Sequence, residues 1–203
     1  MKHYSFLCLG DSYTIGEGVT LHESFPYQTL QLLRKAHHHF YAPEIVAKTG
    51  WTTFELAEHL LHHQLNEQYD FVTLLIGVNN QYRGLDVDDF KEEFEFLLRK
   101  ALHYAKQVAR HVIVVSLPDW SITPFAKDRD TKKIAAEIDA CNSICKMKAE
   151  KYQTHFIDIT TSYRNDGGTA DFLAADQLHP SGREYAKWAE KVYEAIDETI
   201  SGE

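Results

Sequence analysis

The chain has 203 residues, 44% of them apolar and 25% charged, which suits a globular protein with a substantial core and a single domain spanning residues 1–203. Its 30 acidic residues outnumber 21 basic ones, giving a net charge of -9 with no basic stripe, so nucleic acid and anionic membrane surfaces are poor partners. Three cysteines without CxxC spacing (Cys8, Cys141, Cys145) exclude a disulfide framework, and no apolar run is long enough for stable membrane insertion. The first residues lead straight into a short strand with no signal-peptide layout, so a cytoplasmic setting is expected unless an export segment has been trimmed.

In chain order, apolar runs predict strands at Tyr4–Leu9, Glu44–Lys48, Phe71–Ile76, Val112–Leu117 and His155–Ile159. Helical periodicity lies between them. Val87, Phe90, Phe94, Leu97, Leu98, Ala101 and Val108 recur at three- and four-residue steps, as do Ile134, Ile138, Cys141 and Cys145. Thr52 with Glu55, and Ser181 with Glu184, have capping-box spacing, and Asp86 suits an N-cap. No internal repeat, low-complexity tract or linker-like stretch interrupts the pattern. Alternating strands and helices, with several strands apolar throughout, imply an α/β fold with a parallel sheet covered on both faces. Ligands of such sheets bind beyond the carboxyl ends of the strands.

Those ends carry chemistry. Gly10-Asp11-Ser12 follows the first strand, Thr49-Gly50-Trp51 the second and Gly77-Val78-Asn79-Asn80 the third. Pro118-Asp119-Trp120 follows the fourth, and a polar loop beyond the fifth reaches Asp176-Gln177-Leu178-His179. A serine hydroxyl attacks a carbonyl once a histidine accepts its proton, and the histidine needs an acceptor on its other nitrogen. Ser12, His179 and Asp176 supply those three types. Negative charge developing on a substrate oxygen needs donors, available as the Asn79 amide and the Ser12 and Gly50 backbone N–H groups.

These residues, in this order, resemble the SGNH hydrolase superfamily, also known as GDSL-type esterases. Gly10-Asp11-Ser12-Tyr13 matches its first block, with tyrosine for the usual leucine, and Gly50 matches the second. Gly77-Val78-Asn79-Asn80 matches the third, with asparagine for the usual aspartate, and Asp176-Gln177-Leu178-His179 matches the fifth. The resemblance implies a flavodoxin-like three-layer α/β/α sandwich with about five parallel strands ordered 2-1-3-4-5. It also implies Ser12 as nucleophile, His179 as general base and acid, Asp176 as its orienting partner, and an oxyanion hole from Ser12, Gly50 and Asn79. The family needs no cofactor. It includes carbohydrate acetylesterases, lysophospholipases, thioesterases and arylesterases, and the partner it implies for this chain is a small-molecule ester substrate.

A substrate pocket is expected among Tyr13, Trp51, Asn80, Tyr82, Trp120 and Phe125, with aromatic walls favouring short acyl chains. Arg83, if it faces the cleft, would contact an anionic or sugar leaving group. Two other classes stay open: a non-catalytic small-molecule binding module on the same fold, and a metal-dependent hydrolase. The latter would draw on 12 histidines, including His37-His38-His39 and the pair His59 and His63. The HExxH glutamate is absent, and that helix is expected to be solvated and far from the strand ends. Cys141 and Cys145 read as core residues, Asp11 as support for its turn, and Gly16 and Gly18 as a flexible first loop. The oligomeric state is not legible in the sequence.

Overall fold

Residues 2–202 are described by a computed structural model. Strands β1 (Phe6–Gly10), β2 (Glu44–Ala47), β3 (Phe71–Leu75), β4 (Val112–Val115) and β5 (His155–Ile157) form one parallel sheet in the order β2-β1-β3-β4-β5. The expected α/β sheet and its strand order are both found. β1, β3 and β4 are buried along their whole length, as uninterrupted apolar runs require when helices cover both faces. The strands are shorter than the sequence reading. Tyr4 makes only an isolated bridge to Phe40, and β3, β4 and β5 end before Ile76, Leu117 and Ile159. Beyond these ends the chain turns into the loops that carry polar residues.

Helices α1 (Ser12–Ile15) and α2 (Phe25–Lys35) follow β1, and α3 (Thr53–His62) follows β2. After β3 come α4 (Val78–Tyr82) and α5 (Val87–Tyr104); α6 (Thr131–Tyr152) joins β4 to β5, and α7 (Thr160–Asp166) and α8 (Gly182–Ser201) close the chain. Right-handed crossovers place α2 on one face of the sheet and α3, α5 and α6 on the other. Accordingly α2 packs along α8, and α5 packs between α3 and α6. The apolar stripe of α5 is buried at Phe90, Phe94, Leu97, Leu98 and Ala101. Val87 opens that helix half-exposed, and Val108 lies past its end. Ile134, Ile138, Cys141 and Cys145 form the buried stripe of α6. Burial pushes the Cys8 thiol up to about 12 and, with Glu137 nearby, Cys141 up to about 11, so both are inert packing groups.

Cap signals are realised twice out of three. Thr52 and Glu55 form the expected capping box on α3, and Asp86 accepts from Asp88 and Asp89 N–H at the start of α5. Ser181 and Glu184 form no such box. The Ser181 hydroxyl donates to Asp171 O (2.9 Å), and Glu184 is fully buried, accepting from Trp188 Nε1 (2.9 Å). The indole of Trp188 is also fully buried and needs an acceptor, and Glu184 lies one turn before it. Among the described residues, no helix is long and apolar enough to cross a membrane.

Two glycines are dictated by close approach. A Cβ on Gly10 would lie 2.0 Å from Thr14 Oγ1 and 2.4 Å from Leu75 O. Gly77 has φ +133°, and a Cβ there would lie 2.5 Å from the Phe90 ring. Gly77→Ala combines backbone strain with overpacking, so unfolding free energy in urea is expected to fall by about 2 kcal/mol or more. An unchanged midpoint would show that the turn leading into Asn79 is not constrained in this way.

Candidate active site

Ser12 stands where β1 meets α1. Asp11 caps α1 by accepting from Tyr13 N–H (3.0 Å), which fixes the turn, and Ser12 as the first helical residue carries an N–H the helix cannot satisfy. At the far end of the sequence, Leu173 and Pro180 pair in an antiparallel bridge that folds residues 173–180 into a tight loop. Ala174 N–H donates to His179 O (2.8 Å) and Ser181 N–H to Phe172 O (2.8 Å), closing its base. Inside it, Asp176 Oδ1 accepts from the Leu178 and His179 N–H groups (both 3.0 Å), and Oδ2 lies 2.6 Å from His179 Nδ1. The other ring nitrogen, Nε2, is 2.9 Å from Ser12 Oγ across 167 residues of sequence. The three predicted side chains therefore meet in one hydrogen-bonded line. Tyr13, in the position the family usually gives to leucine, packs its ring 5.0 Å from the imidazole.

The line opens into a cavity of about 210 Å³, lined chiefly by Tyr13, Val78, Tyr82, Trp120, Phe125 and Leu178 around Ser12, Gly50, Asn79 and His179. Of the expected pocket residues, Tyr13, Tyr82, Trp120 and Phe125 are there; Trp51 and Asn80 are not among its lining. Trp51 is half-buried against the core, its ring 4.8 Å from His59. The His59 end of α3 is thus next to the Gly50 loop, not remote from it. Asn80 is buried, accepting from Thr53 N–H (3.0 Å) and donating to Thr53 Oγ1 (2.6 Å), so it ties α4 to the start of α3. A larger hollow of about 480 Å³ beside Phe96, Arg99 and Tyr152 contains no residue from the strand ends.

A model of the GDSL-like lipase/acylhydrolase family matches residues 8–187. The chain belongs to this family of carboxylic ester hydrolases. No curated protein matches it. Several solved structures share its fold. TesA has a TM-score of 0.73 at 16% identity, with 95% of this chain and 97% of that one covered. A lipase/acylhydrolase from Enterococcus faecalis has a TM-score of 0.70 at 21% identity, covering 97% and 95%. An acetylxylan esterase from Geobacillus stearothermophilus has a TM-score of 0.70 at 19% identity, covering 95% and 94%.

In this GDSL-family member the loops around the serine are fixed by contacts that the sequence does not reveal. Asn79 does not hold its amide free in the cavity. Nδ2 donates to Trp51 O (3.0 Å) and lies 3.4 Å from Asp11 Oδ2, a long and weak contact. Trp120 is 2% exposed; its Nε1 donates to Gln81 Oε1 (2.7 Å), and Gln81 Nε2 donates to Glu137 (2.9 Å). Buried Asp119, next to Trp120, is held by Arg164 Nε at 2.7 Å. The first loop is also pinned. The Thr49 hydroxyl donates to the Glu17 carboxylate, and a Cβ on Gly18 would lie 2.7 Å from Ala174 Cβ. The expected flexibility at Gly16 and Gly18 is not what these glycines serve: Gly16 is the left-handed cap of α1, and Gly18 makes room for the histidine loop.

His59 and His63 stack at 3.7 Å, and His63 Nδ1 faces the His59 carbonyl (3.0 Å). Among the described residues, no three or more His, Cys, Asp or Glu side chains are placed to hold a metal ion.

Two acids respond to the site in opposite senses. Burial alone would raise the Asp176 carboxyl, but bonds from the His179 ring and from the His179 and Leu178 N–H groups outweigh it and hold it below the usual range. Its stabilising contribution is present above about pH 4 and is lost as pH falls through the lowered value. Burial pushes Asp11 up to about 7 against the bonds from Tyr13 N–H and Asn79. Below about pH 4 Asp11 is protonated in both states; above it the unfolded carboxyl ionises first, so stability declines until pH passes about 7. Asp11→Asn is therefore expected to flatten the stability profile between pH 4 and 7 in urea unfolding. A profile parallel to wild type would mean that Asp11 titrates like an exposed acid.

Proposed function

We propose that the chain is a serine esterase that hydrolyses small carboxylic esters with short acyl groups. The observation that carries this reading is the 2.9 Å contact between Ser12 Oγ and His179 Nε2, with Asp176 at 2.6 Å from the other ring nitrogen. Asp176 accepts from Nδ1–H, which leaves the Nε2 lone pair facing the serine proton. Ser12 Oγ attacks the ester carbonyl as its proton passes to Nε2. The carbonyl π electrons move to the oxygen, where the Ser12 and Gly50 N–H groups and the Asn79 amide receive the charge. Asn79 meets it by exchanging its long contact with Asp11. Collapse expels the alcohol, which takes the proton from His179, and leaves an acyl-serine. Water then repeats the sequence with His179 as base and releases the acid.

The short-acyl assignment rests on the cavity. Its volume of about 210 Å³ lies below the range of about 300–1,000 Å³ common for small-molecule sites, and its walls are apolar. Trp120, fixed through Gln81 and Asp119, gives it a rigid side. Long-chain lysophospholipids fit that space poorly, whereas an acetyl ester of a carbohydrate fits, its alcohol lying outside.

A panel of p-nitrophenyl esters of increasing chain length, run beside acetylated sugars and with EDTA present, tests the reading. The highest kcat/KM is expected on the shortest acyl groups, unaffected by the chelator. Ser12→Ala and His179→Ala are each expected to lower kcat by on the order of 10³-fold or more, and Asn79→Ala by roughly 10²- to 10³-fold with little change in KM. Near-wild-type hydrolysis by Ser12→Ala, or activity lost to EDTA and restored by zinc, would refute the serine mechanism.

A further inference from the structure

The sequence offers Arg83 as a possible contact for a leaving group, but its guanidinium is engaged elsewhere. Nη2 donates to Gly50 O at 2.5 Å and lies 3.3 Å from the Glu55 carboxylate. Glu55 in turn accepts from Thr52 N–H (2.8 Å) and Thr52 Oγ1 (3.1 Å), as the closing member of the α3 capping box. Burial alone would raise the Glu55 carboxyl, but these bonds and the charge of Arg83 hold it below its usual value. Arg83 also ends α4, the turn of helix that carries Asn79, its N–H donating to Asn79 O at 3.0 Å.

Three residues of the α4 segment thus grip one stretch of chain: Arg83 takes Gly50 O, Asn79 takes Trp51 O, and Asn80 takes Thr53 N–H. Gly50 sits at φ +85° with no side chain of its own to hold it, and the place its Cβ would occupy is 3.7 Å from Arg83 Nη2. The Asn79 amide has only two hydrogens. One is committed to Trp51 O. The second makes only the long 3.4 Å contact with Asp11 Oδ2, while Gly50 O is met by Arg83.

We propose that Arg83 is a positioning residue of the oxyanion site: it fixes the Gly50 carbonyl from outside and, with the Asn79 tie to Trp51 O on the same stretch, sets where the Gly50 and Asn79 donors stand relative to each other for the developing charge. This rests on the serine esterase reading above. An exposed ion pair of this kind adds little stability, so loss of Arg83 costs geometry more than folding. A donor displaced by about an ångström weakens charge stabilisation in the transition state more than binding of the neutral ester.

The test compares wild type, Arg83→Met, Arg83→Lys and Arg83→Ala on p-nitrophenyl acetate. For Arg83→Met, kcat is expected to fall by roughly 10- to 10²-fold with KM within about threefold, a smaller loss than that of a direct oxyanion donor. Arg83→Lys, lacking the planar fork that reaches both Gly50 O and Glu55, is expected to recover only part of it. Millimolar guanidinium, but not sodium at equal ionic strength, is expected to restore kcat in Arg83→Ala. Wild-type kcat in Arg83→Met, with or without a lower melting temperature, overturns the proposal. So does a raised KM with unchanged kcat, which would return Arg83 to leaving-group contact. Wild-type protein that hydrolyses no ester would instead count against the esterase reading, so the two failures are distinguishable.

Discussion

The hydrogen-bonded line from Asp176 through His179 to Ser12 joins a turn near the start of the chain to a loop near its end, and the rest of the molecule bears on how closely those two approach. A displacement of about an ångström at this contact would cost on the order of 10²-fold in rate if the chemistry proceeds as proposed. Neither partner can hold itself there. Ser12 depends on β1 being held between β2 and β3 in the sheet and on Asp11 closing the turn behind it. His179 depends on the Leu173–Pro180 bridge and on α8, which begins directly after it and packs along α2. The packing of α2 on α8 thus carries the end of the chain back to its beginning.

The sheet accounts for the other half of the site. With β2 and β3 flanking β1, the Gly50 and Asn79 segments emerge on either side of Ser12, at the switch point where strand order reverses. Close packing sets the fine geometry. Gly10 lets Thr14 and Leu75 crowd the strand end, Gly77 turns the chain sharply toward Asn79, and Gly18 admits the histidine loop. Polar ties made by Asn79, Asn80, Arg83 and Glu55 then stitch α4 to the start of α3. The asparagine at position 80 has a clear role here. Its amide both accepts from and donates to Thr53, which a carboxylate could not do.

The sheet and the pairing of Asp176 with His179 were legible because both rest on local signals. Continuous apolar runs mark strands buried on two faces, and Asp176-x-x-His179 is a turn whose partners lie three residues apart. Ser12 could be paired with them only through the order of the blocks, since the contact spans 167 residues. What was not legible depends on tertiary neighbours. Nothing around Trp51 indicates that its ring faces His59, and nothing around Arg83 says that it reaches Gly50 and not the cleft. Ser181 and Glu184 have capping spacing, yet the buried indole of Trp188 claims the carboxylate. The short helix α4 escapes periodicity because five residues are too few to show one.

The central claim is that Ser12, activated by His179, is the attacking group. Intact-protein and peptide mass spectrometry after exposure to a fluorophosphonate tests it most directly, because the probe forms a covalent bond only with an activated nucleophile. One adduct per chain, located on Ser12, absent in Ser12→Ala and formed far more slowly in His179→Ala, is the expected result. An adduct on another residue, or undiminished ester hydrolysis by a fully labelled protein, would contradict the account.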